Sequence, residues 1–201
     1  MVGKINMTYI MHLFSGFMPE IFLSFSILYL MVASALYAAK NKDRGYTVTN
    51  IQLFQSYIIL LLALLLAINS ECNIQILDYL FVNDISGRLL KIIIIFFSII
   101  LLNPLREASE FQKIKFADML IMYLLAILSI LVLISSANLL SIYMALEMQA
   151  LCFYVFVASN KESTASQDAA LKYFILGSFA SVVFLIGCCL MYSFFDTTSL
   201  V

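Results

Sequence analysis

Glu147 and Lys172 are the residues whose type and placement could do chemistry. Glu147 lies inside the apolar run NLLSIYMALEMQALCFYVFVAS, which begins at Asn138, and Lys172 lies near the start of AALKYFILGSFASVVFLIGCCLMYSFF, which ends at Phe195. The polar stretch NKESTASQD separates the two runs. Each run, at about 1.5 Å per helical residue, is long enough to cross a hydrocarbon core of roughly 30 Å. Glu147 falls about nine residues below Asn138, hence ~14 Å deep and close to the midplane. An ionisable group at that depth costs at least ~2.5 to 3.5 kcal/mol, so it faces protein or water and marks an ion or proton path. Lys172 sits ~5 to 10 Å above the opposite end, so the two charges could serve one relay without touching. A carboxyl and an amine held away from bulk water are the groups that proton transfer uses. The plainer alternatives are a structural polar contact between helices for Glu147 and a lysine snorkelling to the interface for Lys172.

These charges need a membrane-embedded scaffold, and the composition supplies one. Hydrophobic residues make up 64% of the chain and charged residues 11%, with a mean hydropathy of +1.04; soluble domains are nearer half apolar and a quarter charged. The expected fold is an all-α membrane protein with about six transmembrane helices, at residues 17–39, 51–68, 89–102, 116–135, 138–157 and 169–195. The third span, LLKIIIIFFSIILL, is rich in β-branched residues and would suggest a strand in water, but a lone strand cannot satisfy its backbone in lipid. Asn103-Pro104 is predicted to stop that helix. The first run is too long for a signal peptide, and residues 1–16 are poor in arginine, so no cleaved targeting segment is expected.

The loops carry the remaining charge. Lys40, Lys42, Arg44, Arg106, Lys113, Lys115 and Lys161 fall on one face of a six-span topology, against Lys4, Arg88 and Lys91 on the other. That bias places the basic loops inside and both termini outside. The loop from Asn69 to Arg88 is acidic, and its apolar middle IQILDYLFV is too short to span. Pro19 with Glu20, and Asp118, read as helix starts, where an acid meets the positive end of the helix dipole. His12, the single histidine, reads as solvated. Cys72, Cys152, Cys188 and Cys189 show no metal or redox spacing, so no metal site is expected. Met144 and Met148, beside Glu147, read as packing residues, and Gly177, Ser178, Ala180, Ser181 and Gly187 as a surface for close helix approach. A net charge of −1 without a basic stripe excludes a nucleic-acid binder. The chain lacks a Gly-rich phosphate loop and a Ser/His/Asp set, so no catalytic residue and no cofactor are assigned to it.

LSIYMALEMQALCFYVFVAS followed by DAALKYFILGSFASVVFLIGCCLMY resembles the N-type antiporter-like subunits of respiratory complex I. The family's fifth-helix glutamate corresponds to Glu147, and the lysine of its Lys-Tyr-x-Ile-Leu signature to Lys172. The motif match covers residues 138 to 195; over residues 1 to 137 the resemblance rests on span count and topology. The resemblance implies that the chain is the first part of an antiporter-like helix bundle and contributes to a proton half-channel. It implies that NAD, FMN, iron-sulfur clusters and ubiquinone are bound elsewhere in the complex. Expected partners are other membrane-arm subunits, lipids, and a second polypeptide carrying the later helices of a naturally split subunit. The expected compartment is the mitochondrial inner membrane, with both termini towards the intermembrane space; a bacterial inner membrane is the alternative. Two other readings compete: a subunit of a cation/proton antiporter or membrane-bound hydrogenase, and an assembly protein in which Glu147 and Lys172 only hold helices together.

Overall fold

The computed structural model describes residues 16–40, 45–71, 74–76, 80–111, 116–160 and 163–199. Lys4, His12, Lys42, Arg44, Cys72, Lys113, Lys115 and Lys161 lie outside the described residues. The architecture is a bundle of α1 (Met18–Lys40), α2 (Gly45–Asn69), α3 (Ile85–Phe111), α4 (Phe116–Ser135), α5 (Leu139–Val157) and α6 (Thr164–Phe195), with β1 (Ile74–Ile76) and β2 (Phe81–Asn83) between α2 and α3. All six helices are long and apolar enough to cross a membrane. The chain is therefore a multi-pass, all-α membrane protein, as its composition predicts.

Packing explains the order of the helices. α4 is the central element and packs against α1, α3 and α5, while α2 packs between α1 and α3. The shared core contains Leu23, Ile27 and Leu30 of α1, Leu60, Ala63 and Ala67 of α2, Ile95 and Leu102 of α3, and Leu124 and Leu131 of α4. Alanines in α2 let its backbone approach its neighbours closely, which matters where lipid removes the hydrophobic drive between helices. Serines in these helices return their hydroxyls to carbonyls one turn back, as Ser98 does to Ile95 (2.6 Å) and Ser129 to Ala126 (2.7 Å). Tyr123 of α4 instead donates across to the Ser98 carbonyl of α3 (2.8 Å).

Three elements depart from the sequence expectation. α3 does not stop at Asn103-Pro104: it continues through Pro104 to Phe111. Proline deprives the Ile100 carbonyl of its usual partner, but its fixed φ suits a helix, and ending the helix there would strand more backbone groups than that single lost bond. α6 starts at Thr164, within the predicted polar loop, because the Ser163 hydroxyl accepts from the Ser166 amide (3.3 Å) and caps it. The short apolar stretch after α2 forms an antiparallel hairpin, with Ile74 opposite Asn83 and Ile76 opposite Phe81. The Ala137 amide donates to the Leu80 carbonyl (2.9 Å), which docks the hairpin on the α4–α5 link.

α5 and α6 form an antiparallel pair at the edge of the bundle. Asn138 caps α5 by accepting from the Leu140 amide (2.9 Å), and its side-chain amide donates to Thr198 Oγ1 (2.8 Å). Asp196 adopts a left-handed conformation (φ 53°) at the end of α6, which turns residues 197–199 back towards Asn138. α6 has no buried residue. Its apolar surface, with Leu176, Phe179 and Phe194, faces outward.

Candidate functional site

The ring contacts between α5 and α6 fix where Glu147 and Lys172 stand. Tyr143 stacks on Phe184 (centroids 6.1 Å), and Tyr154 meets Tyr173 edge-on (5.2 Å). Both pairs obey the same antiparallel register, which sets Glu147 level with Ala180 and Lys172 level with Val155. The two charges are thus about eight residues, or ~12 Å, apart along the helix axes. Glu147 is half-buried and Lys172 is exposed on the outward face of α6. Among the described residues neither forms an ion pair.

Tyr154 lies between them. Its ring is wedged against Tyr173 and Phe174 (5.2 and 5.4 Å), and its hydroxyl is in electrostatic reach of Glu147. Helical side chains lean towards their own N-terminus, so the Tyr154 hydroxyl rises to Gly177, between the levels of Lys172 and Glu147. Gly177 is glycine for a steric reason: an added Cβ would overlap the Tyr154 hydroxyl and come within 2.8 Å of its Cζ. Gly177→Ala gains up to ~1 kcal/mol in helix propensity. It is nonetheless expected to lose ~1 to 3 kcal/mol from overpacking, since the flanking rings prevent Tyr154 from moving aside. Tyr154→Phe in the same chain should recover part of that loss, and denaturant titration of the four chains of this cycle measures it. Additive effects of the two substitutions would disprove the contact.

A second constellation is buried where α1 and α3 begin. Lys91 is 0% exposed and its Nζ lies 2.6 Å from Oε1 of Glu20, itself 6% exposed. Lys91 also donates to Asn83 Oδ1 (3.2 Å) and stands 5.0 Å from the Phe17 ring centroid, so carboxylate, amide and aromatic face surround the ammonium. The Ser135 hydroxyl donates to the same Glu20 oxygen (3.1 Å), and Asn83 Nδ2 holds the Glu71 carbonyl (2.7 Å). One helical turn before Lys91, Arg88 donates to the Ser70 carbonyl (3.3 Å). This corrects two expectations. Glu20 is not merely a helix-start acid, and Lys91 is not an outer-face charge to be counted with Arg88. Position in the sequence does not separate the two lysines, since Lys172, as close to the start of its own apolar run, is exposed.

Cys152 is buried, Cys188 half-buried and Cys189 exposed, all as free thiols. Among the described residues no group of three or more His, Cys, Asp or Glu side chains could hold a metal.

Comparison with known proteins gives this arrangement a context. The family described as NADH:quinone oxidoreductase/Mrp antiporter, transmembrane, matches residues 136–201, which include Glu147 and Lys172. NADH-ubiquinone oxidoreductase chain 2 of Marchantia polymorpha is 30% identical over 191 residues, covering 94% of this chain and 39% of the relative. NADH-quinone oxidoreductase subunit N of Beijerinckia indica is 29% identical over 182 residues, covering 90% of this chain and 37% of the relative. The chain thus spans less than two-fifths of the length of these curated relatives. Among solved structures, respiratory complex I from Thermus thermophilus with bound aureothin contains a similar chain. Its TM-score is 0.70 at 20% identity, covering 90% of this chain and 38% of that one, which extends the fold likeness to the helices before residue 136.

Proposed function

We propose that this chain, which corresponds to the N-terminal part of the subunit N (chain 2) family of NADH:quinone oxidoreductases, is a membrane-arm subunit of a proton-translocating complex and contributes to a proton half-channel. The observation that carries this reading is the α5–α6 pair. It holds a carboxylate near mid-membrane and an amine ~12 Å closer to the opposite face, with the Tyr154 phenol between them. Glu147 and Lys172 are the proton-path residues in this proposal. Groups spaced in this way pass a proton through intervening water or hydroxyls, not by direct contact.

The outward face of α6, where Lys172 is exposed, is the surface on which the remaining helices of the channel dock. Those helices reach the complex on a second polypeptide, alongside other membrane-arm subunits and lipid. Redox chemistry belongs to subunits elsewhere, which carry NAD, FMN, iron-sulfur clusters and ubiquinone. The proposed location is the mitochondrial inner membrane, with the hairpin and both termini towards the intermembrane space, in accord with the positive charge of the opposite loops.

Purification in mild detergent, mass spectrometry of the associated chains and assay of NADH:quinone activity test this function. The expected result is co-purification with redox subunits and with a polypeptide bearing the later helices. Recovery with transporter subunits alone, without redox partners, would replace it by a cation/proton antiporter, the second reading that the matching family's description keeps open.

A further inference from the structure

We propose that Glu20 and Lys91 form a second proton-carrying site of this chain, at the face where α1 and α3 begin. The inference rests on the reading that the chain moves protons, and it adds a site outside the α5–α6 pair. Four elements converge there: α1 brings Glu20, α3 brings Lys91, α4 brings Ser135 and β2 brings Asn83. Lys91 is the charged group against Glu20; Ser135 and Asn83 are neutral.

The two carboxylate oxygens differ. Oε1 takes the ion pair with Lys91 and the Ser135 hydroxyl, whereas Oε2 is buried and has no hydrogen-bond partner among the described residues. Buried acceptors are costly to leave unmade, and a fully apolar replacement of a buried ion pair is often no less stable. Structure alone thus gives little reason to keep this pair. Oε2 is positioned to accept a proton. A hydronium ion delivers its proton to Oε2, an O–H bond forms, water is left behind, and Glu20 becomes a neutral acid. Lys91 then remains held by Asn83 Oδ1 and the Phe17 ring, so its ammonium keeps partners while the ion pair loosens. The reverse step returns the proton to water and restores the pair.

The position fits such a role. Glu20 lies in the first turn of α1 and Lys91 about six residues into α3, so the cluster is within ~10 Å of the helix ends. The contacts of Ser135 with Glu20, of Ala137 with Leu80 and of Asn138 with Thr198 put this end on the same face as the start of α5. Lys172, Glu147 and the Glu20–Lys91 pair therefore occupy three successive levels across the membrane. α4 lies between Glu147 and the Glu20–Lys91 pair, since it packs on both α1 and α5.

The test uses the assembled complex in proteoliposomes, with NADH:quinone turnover and proton uptake measured together in Glu20→Gln/Lys91→Met, in Glu147→Gln and in the unaltered protein. Removing both charges leaves neither one buried without a partner, so assembly is expected to survive. Proton uptake per NADH is expected to fall in the double variant and in Glu147→Gln. Loss in Glu147→Gln alone overturns this inference and leaves the proposed function standing; loss in neither removes both. If the double variant does not assemble, infrared difference spectra of the chain in lipid, with its glutamates carbon-13 labelled, provide the second readout. A protonated carboxyl band that leaves the labelled region in Glu20→Asp supports the site, and a band unaffected by that substitution rules it out.

Discussion

Glu147→Gln is expected to lower proton uptake by the assembled complex at least ~10-fold while leaving the complex intact, the loss anticipated when a positioned proton carrier is removed. Glutamine matches the volume of glutamate and keeps an acceptor and a donor, so helix contacts made through hydrogen bonds persist. It cannot take up or release a proton in the working pH range. Glu147 is half-buried near the middle of α5, with the Tyr154 hydroxyl in electrostatic reach, and the substitution changes the charge there without opening a cavity. Glu147→Leu separates chemistry from packing. If the carboxylate served only to hold helices together, glutamine would preserve proton uptake and leucine would impair assembly. Proteoliposome uptake assays, normalised to complex content on native gels, distinguish the outcomes. Undiminished uptake in Glu147→Gln would exclude Glu147 from the path and leave Lys172 without a deep partner on α5.

The sequence made the helices legible because lipid leaves so few backbone solutions. LLKIIIIFFSIILL has the composition of a strand and forms a helix, since only a helix closes its own hydrogen bonds in hydrocarbon. The same constraint carried α3 past Pro104, where a rule drawn from soluble proteins predicts a stop. The α5–α6 pair was legible from spacing, because both of its charges interrupt long apolar runs and the helices are consecutive. Its register was not, because that depends on which rings meet: Tyr143 with Phe184 and Tyr154 with Tyr173. The Glu20–Lys91 pair was hidden for a different reason. Its members are 71 residues apart in the chain, and each has a sufficient local explanation as a helix-start acid or a flanking base. Only the packing of α1 and α3 on α4 brings them together, and no local pattern records that packing.

That partnership gives the largest stability effect expected in the chain. Lys91→Met should reduce the unfolding free energy by ~3 to 5 kcal/mol, because Glu20 is left as an uncompensated buried charge. The methionine fills much of the space of the lysine stem, so the loss is electrostatic and not a cavity effect. An exposed pair provides the contrast. Arg106 and Glu110 of α3 are also joined (3.0 Å), yet both are more than a third exposed, and their separation should cost no more than ~0.5 kcal/mol. Adding Glu20→Gln to Lys91→Met removes the stranded charge and should recover most of the stability. Asn83 and Ser135 remain to satisfy the glutamine. Unfolding of the whole chain in mixed micelles, followed by loss of helicity, measures the three variants. A Lys91→Met chain as stable as the unaltered protein would mean that Glu20 takes up a proton as soon as its partner is gone, and the double variant would then gain nothing. Strong coupling between the two substitutions, with the single loss far exceeding the double, is the signature of two charges held out of water by each other.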